Sequence, residues 1–149
     1  IRLQDELDGT PSVVPGPVFG LPVLSARRAG QASFKGLVLA SYHRRCAVTG
    51  GHMSPTLQAA HIRPVSAGGQ NAVRNGLLLR SDVHTLFDAG YLGVNERHEL
   101  QVSTRLWTDF GNGKEFYARH GEVIGLPDKR ADRPAPEAVT WHMDTVFLR

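Results

Sequence analysis

The chain has 149 residues, of which 41% are hydrophobic, a length and composition that suit one compact domain. Its single cysteine, Cys46, excludes an internal disulfide and a zinc site built from paired CxxC motifs. Lysine and arginine outnumber the acidic residues by 17 to 14, a mild excess that permits a polyanionic partner without requiring one.

The first segment, residues 1–26, is rich in proline and glycine and has no sustained hydrophobic period, which predicts a linker or a surface arm. Because the sequence starts at Ile1 rather than at methionine, we expect this arm to lead to a missing N-terminal domain, and residues 27–149 to form the folded domain. No apolar run reaches the about 18 residues of a membrane span, and no signal peptide is recognisable, which indicates a cytoplasmic protein.

Hydrophobic spacing predicts a first helix from Gln31 to Arg45, with its C-terminus at the basic residues His43 to Arg45. After a turn, LQAAHI has the length and boundaries of a buried strand, and GLLLR is predicted as a second strand beyond a loop. A helix is then expected over SDVHTLFDAG, with Ser81 as its cap and Gly90 at its end.

The remaining sequence predicts a hairpin from YLGV and HELQVST, a helix around GKEFYARHG and a closing helix over EAVTWHMDTVFLR. Leu100 and Val102 alternate on one face of the hairpin. The closing helix is expected to pack on the core through four side chains at helical spacing: Val139, Met143, Val146 and Phe147.

Three polar side chains stand out in the strand–loop–strand–helix unit. His61 ends the first strand, Asn75 precedes the second, and His84 lies in the helix. Elements of this size lie side by side, so we expect the two histidines to face one cleft. A lone histidine in an apolar run is more often a packed structural residue, but the surrounding pattern favours a chemical role.

The run AAHIRPVSAGGQNAVRNGLLLRSDVHTLFDAGYL resembles the ββα-metal finger of HNH endonucleases. It is most similar to a subgroup of predicted restriction endonucleases that includes McrA-like enzymes, which cut modified DNA. A bare His–Asn–His triple is common, whereas the full run with its glycine pair and NGLLLR is specific. Flanking segments extend the resemblance over about residues 27 to 147. It implies an α+β fold, in which a ββα-metal finger carries an N-terminal helix, an added hairpin and a C-terminal helix.

The resemblance implies hydrolysis of DNA phosphodiester bonds to 5′ phosphate and 3′ hydroxyl products. His61 corresponds to the general base, since an imidazole with a pKa of about 6.5 accepts a proton from water near neutrality. Asn75 corresponds to the residue that braces the loop carrying the base. His84 corresponds to a ligand of a divalent metal ion, for which Mg²⁺, Mn²⁺, Co²⁺, Ni²⁺ and Zn²⁺ remain open.

The chain departs from this pattern at one position. Many HNH enzymes have Asp or His directly before the base as a second metal ligand, whereas this chain has Ala60. Asp88, four residues after His84 on the same helical face, is the candidate that would bind the ion or orient His84. Asp82 is a weaker candidate because it is better placed to interact with the helix N-terminus.

Double-stranded DNA, modified at the recognised site, is the expected partner. Five arginines near the finger are candidates for phosphate contacts, with a solvated surface as the alternative: Arg44, Arg45, Arg63, Arg74 and Arg80. No segment resembles a base-reading helix, so we expect specificity to reside elsewhere. With one active site per chain, cutting both strands favours a homodimer or two successive nicks.

These features predict the nuclease module of a modification-dependent bacterial restriction endonuclease. One alternative is an HNH-like module that binds DNA without cutting it, which Ala60 keeps open. A metallopeptidase using the same histidines is a second alternative, opposed by the absence of an HExxH motif and by the arginine-rich surroundings. Cys46, at a position where zinc-bearing relatives have a ligand, and His142 are interpreted as packing residues.

Overall fold

The first helix, α1 (Val23–Ser41), lies across the centre of the domain and buries Phe34 and Val38. The computed structural model describes residues 9–14 and 23–149, and of residues 23–27 the backbone alone. The helix begins and ends earlier than predicted. It stops before the basic residues because His43 and Arg44 adopt left-handed backbone conformations, with φ of 56° and 54°, that no helix continues.

The predicted finger follows, with β1 (Leu57–His61), β2 (Gly76–Arg80) and α2 (Ser81–Asp88). β1 and β2 pair in antiparallel register, so that His61 lies opposite Gly76. Both α1 and α2 pack against this two-stranded sheet, which is why β2 is buried along almost its whole length. The elements predicted for this unit are confirmed.

The start of α2 differs in one detail from the prediction. Ser81 is the first residue inside the helix, and Arg80 takes the cap position without a side-chain hydrogen bond, so the prediction that Ser81 caps the helix was wrong. Asp82 instead satisfies a free backbone donor of the first turn, since its Oδ1 accepts a hydrogen bond of 2.9 Å from the Val83 N–H. The helix ends at Asp88, two residues before the predicted Gly90, and the left-handed φ of 88° at that glycine turns the chain away from the helix.

Gly76 allows α1 to approach the finger closely. A Cβ at this position would lie 2.8 Å from Val38 Cγ2 and 2.9 Å from Phe34 Cζ. Because Gly76 pairs with His61, the same close approach brings the Phe34 ring next to the first histidine. The packing of α1 therefore shapes the surroundings of His61.

The second half of the domain contains the predicted hairpin, formed by β3 (Leu92–Val94) and β4 (Leu100–Val102). A helix that was not predicted, α3 (Arg105–Phe110), precedes the short α4 (Lys114–Tyr117). The last helix is α5 (Pro136–Thr145). Two separate antiparallel sheets with helices around them confirm the α+β class, and no helix within the described ranges has the length and apolar character needed to cross a membrane.

α5 closes the core, but it ends before the predicted Val146 and Phe147. Val139 is fully buried, as predicted, whereas the two residues beyond the helix are only partly buried. Phe147 and Met143 pack over Gly93 of β3, where a Cβ would lie 2.9 Å from Phe147 Cδ1 and 2.6 Å from Met143 Sδ. This contact joins the end of the chain to the hairpin.

Part of the predicted arm contacts the folded domain. Val13 forms an isolated antiparallel bridge with Ala72, and the Val14 N–H donates a 3.0 Å hydrogen bond to the Asn71 carbonyl. Ser12 binds the buried Asp132 carboxylate through its backbone N–H at 2.6 Å and its hydroxyl at 2.8 Å. Residues 1–8 and 15–22 lie outside the described residues, and Val23 to Ala26 already belong to α1, so the division into an arm and a domain stays a prediction.

Candidate active site

His61 and His84 line one open cleft of about 420 Å³, together with Asp88. Its walls come from β1, α2 and α5, with Trp141 and His142 supplied by the last helix. The finger brings His61 from the end of a strand and His84 from the middle of a helix to the same surface. The structure therefore brings the two predicted histidines together.

The imidazole of His61 is held on its face and on one edge. Its ring stacks on Phe34, with centroids 4.0 Å apart and an angle of 4° between the planes. Its Nε2 lies 2.8 Å from Oδ1 of Asn71. Because an amide oxygen only accepts hydrogen bonds, Nε2 carries the proton and donates, which leaves Nδ1 of the neutral ring with its lone pair.

Asn75 is buried, with 5% of its surface exposed, and it braces the loop that follows His61. Its Oδ1 accepts a hydrogen bond from the Arg63 N–H at 3.0 Å, and its Nδ2 donates to the carbonyls of Arg63 at 2.9 Å and Gln70 at 2.8 Å. Gly69 completes this loop, since a Cβ there would lie 1.8 Å from the Arg63 carbonyl oxygen. Asn75 therefore contacts the loop, whereas Asn71 contacts the histidine ring.

His84 has an oxygen atom beside each ring nitrogen. Gln58 Oε1 lies 2.7 Å from Nδ1, and Asp88 Oδ2 lies 3.0 Å from Nε2. A protonated ring would donate to both oxygens. A neutral ring that donates from Nδ1 to Gln58 instead directs the Nε2 lone pair toward a carboxylate, which leaves two electron-pair donors facing each other.

This pair of donors fits a divalent transition ion. Imidazole nitrogen and carboxylate oxygen are both common ligands of such ions, and a metal-binding histidine usually donates its other N–H to an oxygen acceptor, as His84 does to Gln58. Ala60 is completely buried and contributes no ligand. No group of three or more His, Cys, Asp or Glu residues suited to a metal occurs in the described part of the chain.

None of the five predicted DNA-binding arginines lines the His61 cleft. Arg63 and Arg74 line an adjacent pocket beside Asn75. The guanidinium of Arg80 binds the carboxylate of Asp82 through two hydrogen bonds of 2.6 and 2.8 Å, which also lower the pKa of that carboxyl group. The positive charge of Arg80 is therefore already paired.

The two remaining predicted arginines, Arg44 and Arg45, are exposed in the turn after α1. The guanidinium of Arg45 donates to the Gly50 carbonyl at 3.4 Å and lies 3.2 Å from Nδ1 of His52. Neither arginine lines the cleft, and both lie in this turn, outside the finger.

His142, interpreted from sequence as a packing residue, is buried and also lines the cleft. Its ring stacks on Phe87, with centroids 3.8 Å apart, and its Nε2 donates a 3.0 Å hydrogen bond to the Phe87 carbonyl. Burial lowers the pKa of His142, which favours the neutral ring. It therefore packs as predicted while contributing to the wall of the candidate site.

Three further residues near the histidines were not singled out from the sequence. Asn71 and Gln58 contact the imidazoles directly, and Lys35 of α1 lines a neighbouring pocket with His61. Asn71 follows the glycine pair of the motif, which is the one signal that points to it. The other two come from the register of β1 and the docking of α1, which no local pattern specifies.

Comparison with known proteins bears on the family resemblance and on the fold. Residues 46–95 match a family model described as HNH endonuclease. The predicted resemblance to HNH endonucleases is thereby confirmed for the segment that contains the finger. A search of curated proteins found no significant match.

Among solved structures, the chain is similar to one named modification dependent TagI restriction endonuclease. The two share 21% sequence identity with a TM-score of 0.55, over 77% of this chain and 38% of that chain. The likeness supports the assigned fold well beyond the finger. The matched region corresponds to less than half of the length of that protein.

Proposed function

We propose that this chain is a metal-dependent DNA endonuclease module that hydrolyses phosphodiester bonds. The observation that carries the proposal is the placement of His61. Its ring is fixed by Asn71 and Phe34, its Nδ1 keeps a lone pair, and it shares a cleft with His84 and Asp88. An immobilised base beside a pair of cation ligands is what hydrolysis of a phosphodiester requires.

In the proposed reaction, Nδ1 of His61 takes a proton from the attacking water. Asn71 favours this step because its Oδ1 holds the proton on Nε2 and stabilises the imidazolium that forms. Asn75 keeps the loop after His61 in place through three hydrogen bonds to backbone atoms. General base catalysis of this kind contributes about 10²- to 10⁴-fold to a rate.

His84 and Asp88 would hold the divalent cation, with Gln58 fixing the tautomer of His84. When bound, such an ion compensates negative charge on the phosphate oxygens and on the leaving 3′ oxygen. Lys35 lines a neighbouring pocket together with His61, where its positive charge would favour a DNA phosphate. We expect products that carry a 5′ phosphate and a 3′ hydroxyl.

We further propose double-stranded DNA as the substrate, with modified DNA as the preferred target. Support comes from the similarity to a protein whose name describes a modification-dependent restriction endonuclease. Because the match covers 38% of that protein, recognition of a modification would reside outside the matched region. On this basis we expect the 149-residue chain to cut modified and unmodified DNA at similar, low rates.

The test is cleavage of supercoiled plasmid at low salt, with EDTA or with Mg²⁺, Mn²⁺, Co²⁺, Ni²⁺ or Zn²⁺ in turn. We expect metal-dependent nicking that His61→Ala and His84→Ala each reduce by at least about 100-fold. His52→Ala is the matched control, because His52 is exposed and does not line the cleft. Equal nicking by all four proteins would contradict the proposal.

A DNA-binding module without nuclease activity is the second candidate, and the presence of Ala60 where relatives have a ligand favours it. The same plasmid experiment separates the two candidates when DNA binding is measured in parallel. Folded protein that binds DNA but leaves it supercoiled with every metal would support the binding module. His61→Ala would then leave the affinity almost unchanged.

A further inference from the structure

His142 has one ring nitrogen without a partner. Its Nε2 donates to the Phe87 carbonyl, whereas its Nδ1 is buried and has no hydrogen-bond partner among the described residues. The residue as a whole is 2% exposed. A buried acceptor left unsatisfied costs about 1–3 kcal/mol, so this nitrogen should be occupied by a water or a ligand when the site is complete.

The position of His142 in the cleft limits what that partner is. The residue lines the same cleft as His84 and Asp88, and the charge of Asp88 raises the pKa of His142 against the larger, opposite effect of burial. With neutral rings, Nε2 of His84, the Asp88 carboxylate and Nδ1 of His142 are all electron-pair donors. These three electron-pair donors would be satisfied by a cation, by a hydrogen-bond donor, or by both.

A hydrated divalent cation supplies both kinds of partner. His84 and Asp88 have the adjacent nitrogen and oxygen that bind an ion directly. His142 does not join them in a three-residue group of the kind that would hold a metal. A water molecule can bridge the remaining gap, because it binds a cation through oxygen and donates a hydrogen bond to a neutral nitrogen.

We propose that Nδ1 of His142 is a third, water-mediated anchor of the cation site, accepting a hydrogen bond from a water in the hydration shell of the ion held by His84 and Asp88. The inference rests on the proposed function of this cleft. It makes His142 a positioning residue that acts through water. Its second contact, with the Phe87 carbonyl, fixes the ring beside the end of α2, the helix that bears both direct ligands.

The test measures Mn²⁺ binding without DNA, by following the electron paramagnetic resonance signal of free Mn²⁺ during titration of the whole chain. His142→Phe keeps a ring against Phe87 but removes the acceptor, and we expect it to weaken Mn²⁺ binding by about 10-fold. His142→Gln retains an amide oxygen as acceptor and should bind within about threefold of the original protein. His84→Ala should abolish binding, and His52→Ala should leave it unchanged.

Two outcomes would overturn the inference while the proposed function survives. His142→Phe could bind Mn²⁺ as tightly as the original protein, or His142→Gln could lose as much affinity as His142→Phe, which would assign the loss to packing. Melting curves of the metal-free variants measure that packing contribution separately. If no Mn²⁺ binding depends on His84, the cation site of the proposed function fails, and the role of His142 fails with it.

The original protein provides a second measurement if His142→Phe does not fold. Long-range ¹H–¹⁵N spectra resolve the two nitrogens of each histidine ring, so His142 can be followed directly. Addition of Mg²⁺ should shift the Nδ1 resonance of His142 while the Nε2 signal stays in place. A spectrum in which Nδ1 does not respond to saturating Mg²⁺ would overturn the inference.

Discussion

The neighbours of His61 determine how the proposed base is oriented. The motif identifies the histidine, but the choice between its two nitrogens depends on Asn71, whose Oδ1 lies 2.8 Å from Nε2. The stacked Phe34 ring then limits rotation of the imidazole. With both contacts present, the orientation of the ring is set before substrate arrives, so the proposed reaction would need little reorganisation.

We therefore expect Asn71→Ala to lower kcat for plasmid nicking by about 10- to 100-fold with little change in KM, because the base loses its orientation while DNA contacts remain. Asn71→Asp keeps an acceptor at the same place and should retain most of the activity. Single-turnover nicking assays with saturating metal measure both effects. If Asn71→Ala cuts as fast as the original protein, Phe34 alone is sufficient to orient His61.

Whether the sequence could predict one of these residues depends on how far apart in the chain the interacting partners lie. His61, Asn75 and His84 lie at motif positions, so pattern alone locates them. Gln58 reaches His84 only because β1 and α2 pack together in one particular register. Likewise, His142 reaches the cleft only through tertiary packing, since its hydrogen-bond partner Phe87 lies 55 residues earlier in the chain.

At the scale of elements, residue propensities predict the conformation of the loop between β1 and β2 least well. It contains two short 3₁₀ turns and is held by a buried amide, Asn75. Composition predicts a loop here but not its rigidity, because the bracing side chain lies at the far end of the segment. Similarly, the end of α1 depends on the left-handed backbone conformations of His43 and Arg44, which helical periodicity does not predict.

A pair of glycine substitutions tests the rigidity of this loop. Gly69→Ala should destabilise the protein by about 1–3 kcal/mol, because the new Cβ would lie 1.8 Å from the Arg63 carbonyl oxygen and force the braced loop apart. Gly36→Ala is the matched control on α1, where a Cβ meets nothing within 4 Å. The control should stabilise the helix by about 0.5–1 kcal/mol.

Urea unfolding followed by circular dichroism measures both changes. Nicking activity should fall in Gly69→Ala, even at temperatures where the protein is fully folded, because Arg63 lies in the loop directly after His61. Gly69→Ala with unchanged stability and activity would mean that the loop relaxes without affecting the base.

For the molecule as a whole, the positions of the charged side chains are more informative than the net charge. The formal net charge is +3, and the predicted arginines are distributed over the Asn75 pocket, the turn after α1 and an ion pair with Asp82. The cationic side chain next to His61 is Lys35, on a helix outside the finger. Sequence composition therefore permits DNA binding, whereas only the docking of α1 indicates where the backbone would run.

We expect Lys35→Ala to weaken DNA binding and to reduce the slope of log affinity against log salt concentration by about 1, as loss of one phosphate contact does. Lys114→Ala, which removes an equal charge from a residue outside these pockets, should change the slope much less. Fluorescence anisotropy with a labelled duplex at several salt concentrations gives both slopes. Identical slopes for the two variants would remove Lys35 from the DNA-binding surface.

The contact of residues 12–14 with the loop between β1 and β2 affects how the protein would respond to a pulling force. The Val14 N–H donates to the carbonyl of Asn71, and the side chain of Asn71 hydrogen-bonds the ring of His61, so two hydrogen bonds in series connect this N-terminal segment to the candidate base. A pulling force on the chain before Ser12 would be resisted first by the two hydrogen bonds from Ser12 to the Asp132 carboxylate. Once those bonds break, the force passes to the hydrogen bond between Val14 and Asn71, so we expect pulling on this segment to displace Asn71 from His61 before the core unfolds.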